Sequence, residues 1–145
     1  MAKRFSNMNE LAKALQPIMV KMVDKLAENV YETLNYYLND YYTGWTPEYY
    51  KRTEAFLHSA VKVDAKPYKG GAKAYVYIDY DSMDDYVNAT GYQIAEWANN
   101  GLHGGLSVSH KPHVWDDTID NTINNGKLLE LAIKYLKSQG ISVKA

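Results

Sequence analysis

The sequence predicts an α+β domain in which a long amphipathic N-terminal helix packs on a small antiparallel β-hairpin or sheet, with short C-terminal helices after it. Three patterns lead to this fold class. Apolar residues recur every three or four positions over residues 7–42, a period of two follows over residues 59–79, and helical periodicity returns over residues 90–139. Because the chain has neither a repeat nor a Pro/Ser-rich linker, we predict that residues 1–145 form one domain.

The first helix is predicted over residues 7–42. Asn7 and Glu10 have the spacing of a capping box and mark its start. Pro17 is expected to kink the helix or to begin a second segment, because proline lacks the backbone donor and clashes with the preceding turn. The apolar positions form one stripe: Leu11, Leu15, Ile18, Met22, Leu26, Val30, Leu34, Leu38 and Tyr41.

Glycine and proline signals end this helix. Gly44 is a candidate helix stop and Pro47 prevents the helix from resuming, so a loop is predicted over residues 43–58. From Pro17 to Tyr42 the helix would extend about 40 Å at a rise of about 1.5 Å per residue. A striped helix of this length needs a broad partner, which is either the chain's own sheet or a neighbouring subunit.

A β-hairpin is predicted over residues 59–79. Between its two alternating segments lies the turn signal Tyr68-Lys69-Gly70-Gly71. Along the second strand, Tyr75 and Tyr77 alternate with alanine and aliphatic residues. Three residues of the first strand are expected to share one face: Val61, Val63 and Ala65. Three lysines surround the turn, which predicts a solvated hairpin tip: Lys66, Lys69 and Lys73.

The C-terminal helical part is predicted over residues 90–139. It comprises a short helix at 92–99, a glycine-rich loop at 101–112, a helix at 114–123 and a last helix at 127–139. Asparagine and glycine signals separate these segments. The order of a helix, a hairpin and further helices differs from the alternation of an α/β fold.

The composition excludes several classes of protein. The chain has no cysteine, which excludes disulfides, thiolate catalysis and thiolate metal sites. Lysine and arginine number 16 against 17 acidic residues, for a net charge of −1, and no basic cluster of the kind that binds nucleic acid stands out. Neither a signal-peptide core nor a membrane-spanning run is recognisable, so we expect a protein that is made and used in solution.

Tyrosine is the unusual residue, with 14 copies against 2 phenylalanines and 3 tryptophans. Its ring supplies apolar contact area and its hydroxyl tolerates water, a combination that suits surfaces exposed in the monomer and buried on assembly. The alternative is that several tyrosines complete a small core.

Motifs that would carry catalysis are missing. The sequence has no glycine loop between a strand and a helix for phosphate binding and no Gly-x-Ser-x-Gly elbow. No pair of carboxylates is identifiable as an acid and a base. We therefore predict that the protein is not an enzyme and has no cofactor.

Two sets of residues could bind a metal. One set combines histidines with a carboxylate, as zinc sites do: His103, His110 and His113 with Asp116 or Asp117. Because their spacing matches no pair on a helix face, we expect solvated loop histidines or one histidine hydrogen-bonded at a helix start. The other set, a calcium candidate without EF-hand spacing, is Asp79, Asp81, Asp84 and Asp85. We expect these four aspartates to lie in a solvated loop or to form an acidic patch that meets a basic neighbour.

The segment from Tyr41 to Ser59 resembles the head–tail joining and tail-completion proteins of long-tailed phages, in the branch from phages and prophages of Gram-positive bacteria. The matching positions are Pro47, Tyr50, Arg52, Thr53, Leu57 and Ser59. Residues 98–105 and 115–141 resemble further parts of the same family, in the same order. The chain has Arg-Thr-Glu-Ala-Phe-Leu where the more widespread form of that family has a Thr-Gly-x-Leu-Arg-like turn.

The resemblance implies a structural subunit of the virion, made in the bacterial host cytoplasm. It implies a ring of identical copies, six-fold in symmetry, in the neck or at the tail end. The implied partners are neighbouring neck, connector and tail-tube proteins, with DNA passing through the ring without sequence-specific binding and with no membrane contact. The alternative reading is a small nucleic-acid-binding or metal-dependent enzyme domain that uses the region of His103, His110 and His113.

The interface between subunits is expected to use aromatic residues and one arginine: Trp45, Tyr49, Tyr50, Arg52, Tyr75 and Tyr77. The first four lie at the junction of the helix and the loop, and the last two lie in the hairpin. Arg52 could reach a carboxylate of a neighbour. Equally, Arg52 and Thr53 could brace the hairpin within one subunit.

Overall fold

The structure, a computed structural model, describes residues 4–42, 55–83, 90–100 and 113–144, with the backbone of 102–103 and 106–107. The fold is α+β, as the sequence predicts. Its elements in chain order are α1 (Met8–Tyr42), β1 (Ala60–Tyr68), β2 (Gly71–Ile78), α2 (Gly91–Asn99), β3 (Leu102–His103), β4 (Leu106–Ser107), α3 (Val114–Ile119), a π-helical turn (Asp120–Asn124) and α4 (Lys127–Ser138).

Helix α1 begins with the predicted cap. The side chain of Asn7 accepts the backbone N–H of Glu10 at 3.0 Å, and the carboxylate of Glu10 accepts the backbone N–H of Ser6 at 3.0 Å. The second hydrogen bond lowers the pKa of Glu10. The capping-box-like start is therefore confirmed, with the carboxylate reaching one residue further back than in the standard motif.

Pro17 lies inside α1, and the helix continues through it. The expectation of a second helical segment is therefore wrong. Pro17 and Lys13 are both exposed, so water can reach the Lys13 carbonyl that has lost its backbone donor. The uninterrupted helix of 35 residues is about 52 Å long at a rise of about 1.5 Å per residue.

A two-residue turn joins β1 and β2. Lys69 and Gly70 both have positive φ angles, 47° and 79°, which identify a type I′ turn. Such a turn matches the right-handed twist of the strands, and the ladder extends from it to the pair Ala60 and Ile78. The predicted hairpin and its turn are confirmed.

A bulge between Val63 and Lys66 interrupts the alternation in β1. Val63 lies opposite Tyr75, and the next residue on the same face is Lys66, which lies opposite Lys73. The prediction that Ala65 shares a face with Val61 and Val63 is therefore wrong, because the extra residue shifts the alternation by one position.

The core lies where the C-terminal half of α1 meets the base of the hairpin. Leu34 and Leu38 are fully buried there. The other members of this cluster come from α1, the hairpin and its flanking residues, α2 and α3: Tyr41, Phe56, Ala60, Ile78, Met83, Ala95, Ala98 and Val114. Tyr31, Tyr37 and Tyr42 pack against it, so some of the tyrosines do complete a small core.

A half-buried lysine attaches the hairpin to α1. The side chain of Lys62 is 11% exposed, and its Nζ lies 3.0 Å from Asp64, 3.0 Å from Asp24 and 3.4 Å from Glu28. Hydrogen bonds to Asp64 and Asp24 hold the pKa of the Lys62 ammonium well above its ordinary value. Asp24 also accepts the backbone N–H of Ala65 at 3.0 Å, and this bond is the main cause of its lowered pKa.

A second polar contact lies at the far end of the hairpin. Gln16 Nε2 donates to the carbonyl of Gly71 at 3.0 Å. Since Lys62 contacts α1 around Asp24 and the turn contacts it around Gln16, the hairpin lies along α1 with its tip toward the helix N-terminus.

The side chain of Asn99, at the end of α2, caps the start of α3. Its Oδ1 accepts the backbone N–H groups of Trp115 and Asp116 at 2.9 Å and 2.8 Å. The helix predicted at 114–123 ends as an α-helix at Ile119 and continues as the π-helical turn. Residues 101–112 include the two short strands β3 and β4, which pair antiparallel, so the prediction of a loop alone was incomplete.

Helix α4 lies against α1 and remains only partly covered. None of its residues is fully buried. The residues predicted to face inward are all half-buried: Leu128, Leu131, Ala132, Tyr135 and Leu136. Among the described helices, none is long and apolar enough to cross a membrane. Residues 43–54, most of the loop predicted at 43–58, lie outside the described residues.

We expect Leu38→Ala to lower the free energy of unfolding by about 2–5 kcal/mol, because it leaves a cavity in the core. Leu129→Ala is the matched control, since Leu38 is 0% exposed and Leu129 is 66% exposed. The control should change stability by less than about 0.5 kcal/mol. Urea denaturation followed by circular dichroism measures both, and equal losses would contradict the position of the core.

We expect Lys62→Met to destabilise the fold by about 1–3 kcal/mol, because it removes charge-assisted hydrogen bonds to two carboxylates. Lys66→Met, on the same strand but exposed, is the control and should change stability by less than about 0.5 kcal/mol. The measurement is the urea midpoint at neutral pH. If both variants have the wild-type midpoint, Lys62 does not attach the hairpin.

Candidate interaction surface

The hairpin has one face that no described element covers. Residues directly opposite each other across two strands share a face, so the pairs Val61 with Tyr77 and Val63 with Tyr75 lie together. The tyrosines are 43% and 52% exposed. We call this surface the outer face, with the following members: Val61, Val63, Lys66, Tyr68, Lys73, Tyr75 and Tyr77. Helix α1 packs on the opposite side of the sheet, against Ala74 and Val76.

The tip end of the outer face is basic. Lys66 and Lys73 lie directly opposite each other, an arrangement of like charges that destabilises a strand pair. Lys73 Nζ lies 4.1 Å from the centre of the Tyr68 ring, and Lys69 Nζ lies 5.2 Å from the same ring. Within the described part of the chain, none of these three lysines has a carboxylate partner. Their positive charge is therefore not neutralised by the part of the subunit that is described.

A second exposed aromatic surface lies at the base end of the hairpin. The rings of Tyr80 and Tyr92 meet edge to face, with centres 5.3 Å apart, and both are exposed. Asp81 follows Tyr80, and Glu96 lies one helical turn after Tyr92 on the same face of α2. We call these four residues the acidic patch.

The glycine at the start of α2 allows the two tyrosines to meet. A Cβ at Gly91 would lie 2.5 Å from the carbonyl oxygen of Tyr80 and 3.0 Å from Cβ of Met83. Only a residue without a side chain permits this approach. Thr90 and Gln93 form a complete capping box that fixes the first turn of α2 in this position.

An open apolar pocket of about 270 Å³ lies between α1, β2 and the C-terminal helices. Its lining is entirely apolar: Val23, Leu26, Ala27, Val30, Ala74, Val76, Trp115, Ile119, Ile123 and Leu128. A catalytic site needs polar groups that converge on a substrate, and this lining provides none. The pocket is another place where the described chain leaves apolar area uncovered.

The residues predicted for the interface divide into two groups. Tyr75 and Tyr77 lie exposed on the outer face, where an interface residue is expected to lie. The other four, predicted at the helix–loop junction, lie outside the described residues: Trp45, Tyr49, Tyr50 and Arg52. The roles of all six stay predictions.

The histidine and aspartate candidates have ordinary surroundings where they are described. His113 lies at the start of α3, with Nδ1 2.8 Å from the carbonyl of Asn99 and its backbone N–H donated to Asp117 at 2.9 Å. Asp79 accepts the N–H groups of Asp81 and Ser82 and so stabilises a turn. Among the residues that are described, no three histidine, aspartate or glutamate side chains could hold a metal together. Further candidates lie outside this description: the side chain of His103, His110, Asp84 and Asp85.

The sequence indicated only Asp81 of the acidic patch, as one residue of an expected solvated loop or acidic patch, and missed its association with Tyr80, Tyr92 and Glu96. Tyr92 and Glu96 have the spacing of neighbours on a helix face, which was a usable signal. The contact between Tyr80 and Tyr92 spans twelve positions and depends on the close approach at Gly91, which no local pattern predicts.

A protein-family model described as YomN matches residues 7–138. The match begins at the cap of α1 and ends with the last residue of α4, so it includes every helix and strand described above. No curated protein and no solved structure matches the chain significantly.

We expect Gly91→Ala to destabilise the fold by about 1–3 kcal/mol, because the added methyl group overlaps the Tyr80 carbonyl. The sign of the change in the free energy of unfolding is the test, since alanine in place of a helical glycine normally stabilises a protein by up to about 1 kcal/mol. Gly71→Ala is the control, because its Cβ would meet only ordinary contacts at 3.5 Å. Urea midpoints measure both, and a stabilising Gly91→Ala would contradict the packing of α2 on Tyr80.

Proposed function

The chain belongs to the YomN family, which is phage-associated, and on this premise we propose that it is a structural subunit of a ring in the neck or tail end of a tailed phage. In this proposal the subunit is made in the host cytoplasm and ends in the virion. Identical copies surround the DNA passage and join the head connector to the tail. The subunit performs no catalysis and needs no cofactor.

The outer face of the hairpin is the observation that carries the proposal. Two valines and two half-exposed tyrosines form an apolar centre, and lysines lie at its border. Protein interfaces have this anatomy, with an apolar, aromatic-rich centre and a polar rim. The cross-strand pairs of Tyr75 and Tyr77 with the valines stabilise the hairpin by about 0.2–1 kcal/mol each, and the exposed part of both rings is left over for a partner.

The number of uncovered surfaces also supports a ring. Ring closure requires two different surfaces on each subunit, one for each neighbour. The outer face and the acidic patch are two such surfaces, and the apolar pocket beside α4 is available for a third contact, with a neck or tail protein of another kind. The helix α1, about 52 Å long, packs against both strands of the hairpin, α3 and α4 and so holds the outer face and the apolar pocket in one frame.

A nucleic-acid-binding module is the second candidate, because Lys66, Lys69 and Lys73 form a basic cluster that has no carboxylate partner in the described residues. Phosphate contacts by such lysines would make binding strongly dependent on salt. Two features favour a protein partner instead. The valines beside the tyrosines have no role in phosphate binding, and the chain has a net charge of −1.

The proposal predicts that virions of a phage that encodes this chain contain several copies of it. The double variant Tyr75→Ser with Tyr77→Ser should enter virions at least about tenfold less, because it removes the apolar centre of the outer face. Quantitative mass spectrometry of purified virions measures the copy number in both cases.

Tyr36→Ser is the matched control, because Tyr36 is an exposed tyrosine of α1 away from the hairpin, and it should enter virions normally. The double variant should remain folded, because each lost cross-strand pair costs only about 0.2–1 kcal/mol, and its urea midpoint checks this. A wild-type chain that is absent from purified virions and stays monomeric would overturn the ring proposal.

A further inference from the structure

We propose that the outer face of one copy binds the acidic patch of the next copy, so that subunits associate head to tail. The inference rests on the proposed function, because it assumes that identical copies bind each other. It goes further by naming the two surfaces that meet and the forces that match them.

The two surfaces have opposite charge. The outer face carries Lys66 and Lys73, with Lys69 in the adjoining turn, and none of the three has a carboxylate partner in the described chain. The acidic patch carries Asp81 and Glu96, both exposed and both without a described ion pair. Contact between the two surfaces would place acidic side chains near Lys66 and Lys73, which relieves the repulsion between these two lysines across the strands.

The two surfaces also match in their apolar parts. Each presents a pair of exposed tyrosines, Tyr75 with Tyr77 on the outer face and Tyr80 with Tyr92 on the acidic patch. Aromatic rings meet well edge to face or offset, and their hydroxyl groups can keep contact with water at the border. The apolar centre would then supply affinity, and the charged rim would select the partner surface.

The arrangement of the surfaces requires a head-to-tail contact. Lys73 and Tyr80 are seven positions apart, which places the basic end of the outer face up to about 23 Å from the acidic patch at about 3.3 Å per residue, whereas Tyr77 lies closer to it. Pairing of like surfaces would bring lysines against lysines or carboxylates against carboxylates, which is unfavourable. After one contact the pair therefore retains one free outer face and one free acidic patch, so further copies can add, and the series forms a ring where the rotation between neighbours closes it.

Cysteine cross-linking tests this order directly, because the natural chain has no cysteine and engineered thiols are the only ones present. The double variant Lys73→Cys with Glu96→Cys has one thiol on each surface. We expect oxidation to produce a ladder of disulfide-linked dimers, trimers and larger species on a non-reducing gel. The two single variants mixed together should produce a dimer and nothing larger.

A different pattern would overturn the inference. Efficient dimers of Lys73→Cys alone would mean that two outer faces meet, and a double variant that stays monomeric would mean that the surfaces do not meet. If the protein enters virions but forms no ladder, the head-to-tail inference fails and the proposed function stands. If a ladder forms but virions lack the protein, the proposed function fails.

Charge exchange provides a second test, in variants that contain no engineered cysteine. We expect Lys66→Glu with Lys73→Glu to weaken self-association at low salt by about tenfold, and Asp81→Lys with Glu96→Lys to do the same. A mixture of the two variants should associate again, because the opposite charges are restored between copies. Sedimentation equilibrium measures the association, and circular dichroism confirms that each variant is folded.

Two results of this experiment would count against the inference. One is a mixture that associates no better than either variant alone. The other is binding of duplex DNA that weakens steeply with salt and that Lys66→Glu with Lys73→Glu abolishes, while self-association is unchanged. That result would mean that the lysines at the hairpin tip bind nucleic acid and not a second copy.

Discussion

The contact between Lys62 and Asp24 decides which face of the hairpin points outward. Side chains alternate along a strand, so Lys62 can face α1 only if Val61 and Val63 face away from it. A slip of one residue would carry the ammonium into solvent and place the tyrosines against the helix, and the strand register is therefore strongly specified. Asp24 strengthens the choice, because the same carboxylate accepts the free N–H of Ala65 at the bulge. One carboxylate thus holds both the cation and the irregular point of the strand.

This register places different kinds of side chain on the two faces of the hairpin. The side toward α1 carries Ala74 and Val76, which are small enough for a helix to approach closely. The other side carries Tyr75 and Tyr77, which no element of the described part of the chain covers. The surplus of tyrosine thereby has two explanations in one molecule. Tyr41 and its neighbours complete the core, and the hairpin tyrosines provide exposed aromatic area that suits a partner surface.

The sequence predicted those features that depend on local periodicity. The stripe of α1, its cap at Asn7 and the Lys69-Gly70 turn each depend on residues close together in the chain, and each was correct. The features that were missed depend on distant contacts. The bulge that displaced Ala65 is stabilised by Asp24, 41 positions away, and the cap of α3 comes from Asn99 on another helix. For the same reason Tyr75 and Tyr77 could be named as candidates, whereas the pairing of Tyr80 with Tyr92 could not.

A net charge of −1 conceals a separation of charge that suits ordered assembly. Among the described residues of the hairpin, three lysines lie at its tip, and Asp81 with Glu96 lies beside its base, so these two ends carry opposite charge although the chain is nearly neutral overall. Exposed ion pairs contribute only about 0–1 kcal/mol each, and salt weakens them further. Such pairs set orientation without making single contacts tight. A ring benefits from this balance, because closure makes each last contact intramolecular and raises the strength of the whole without stronger individual interfaces.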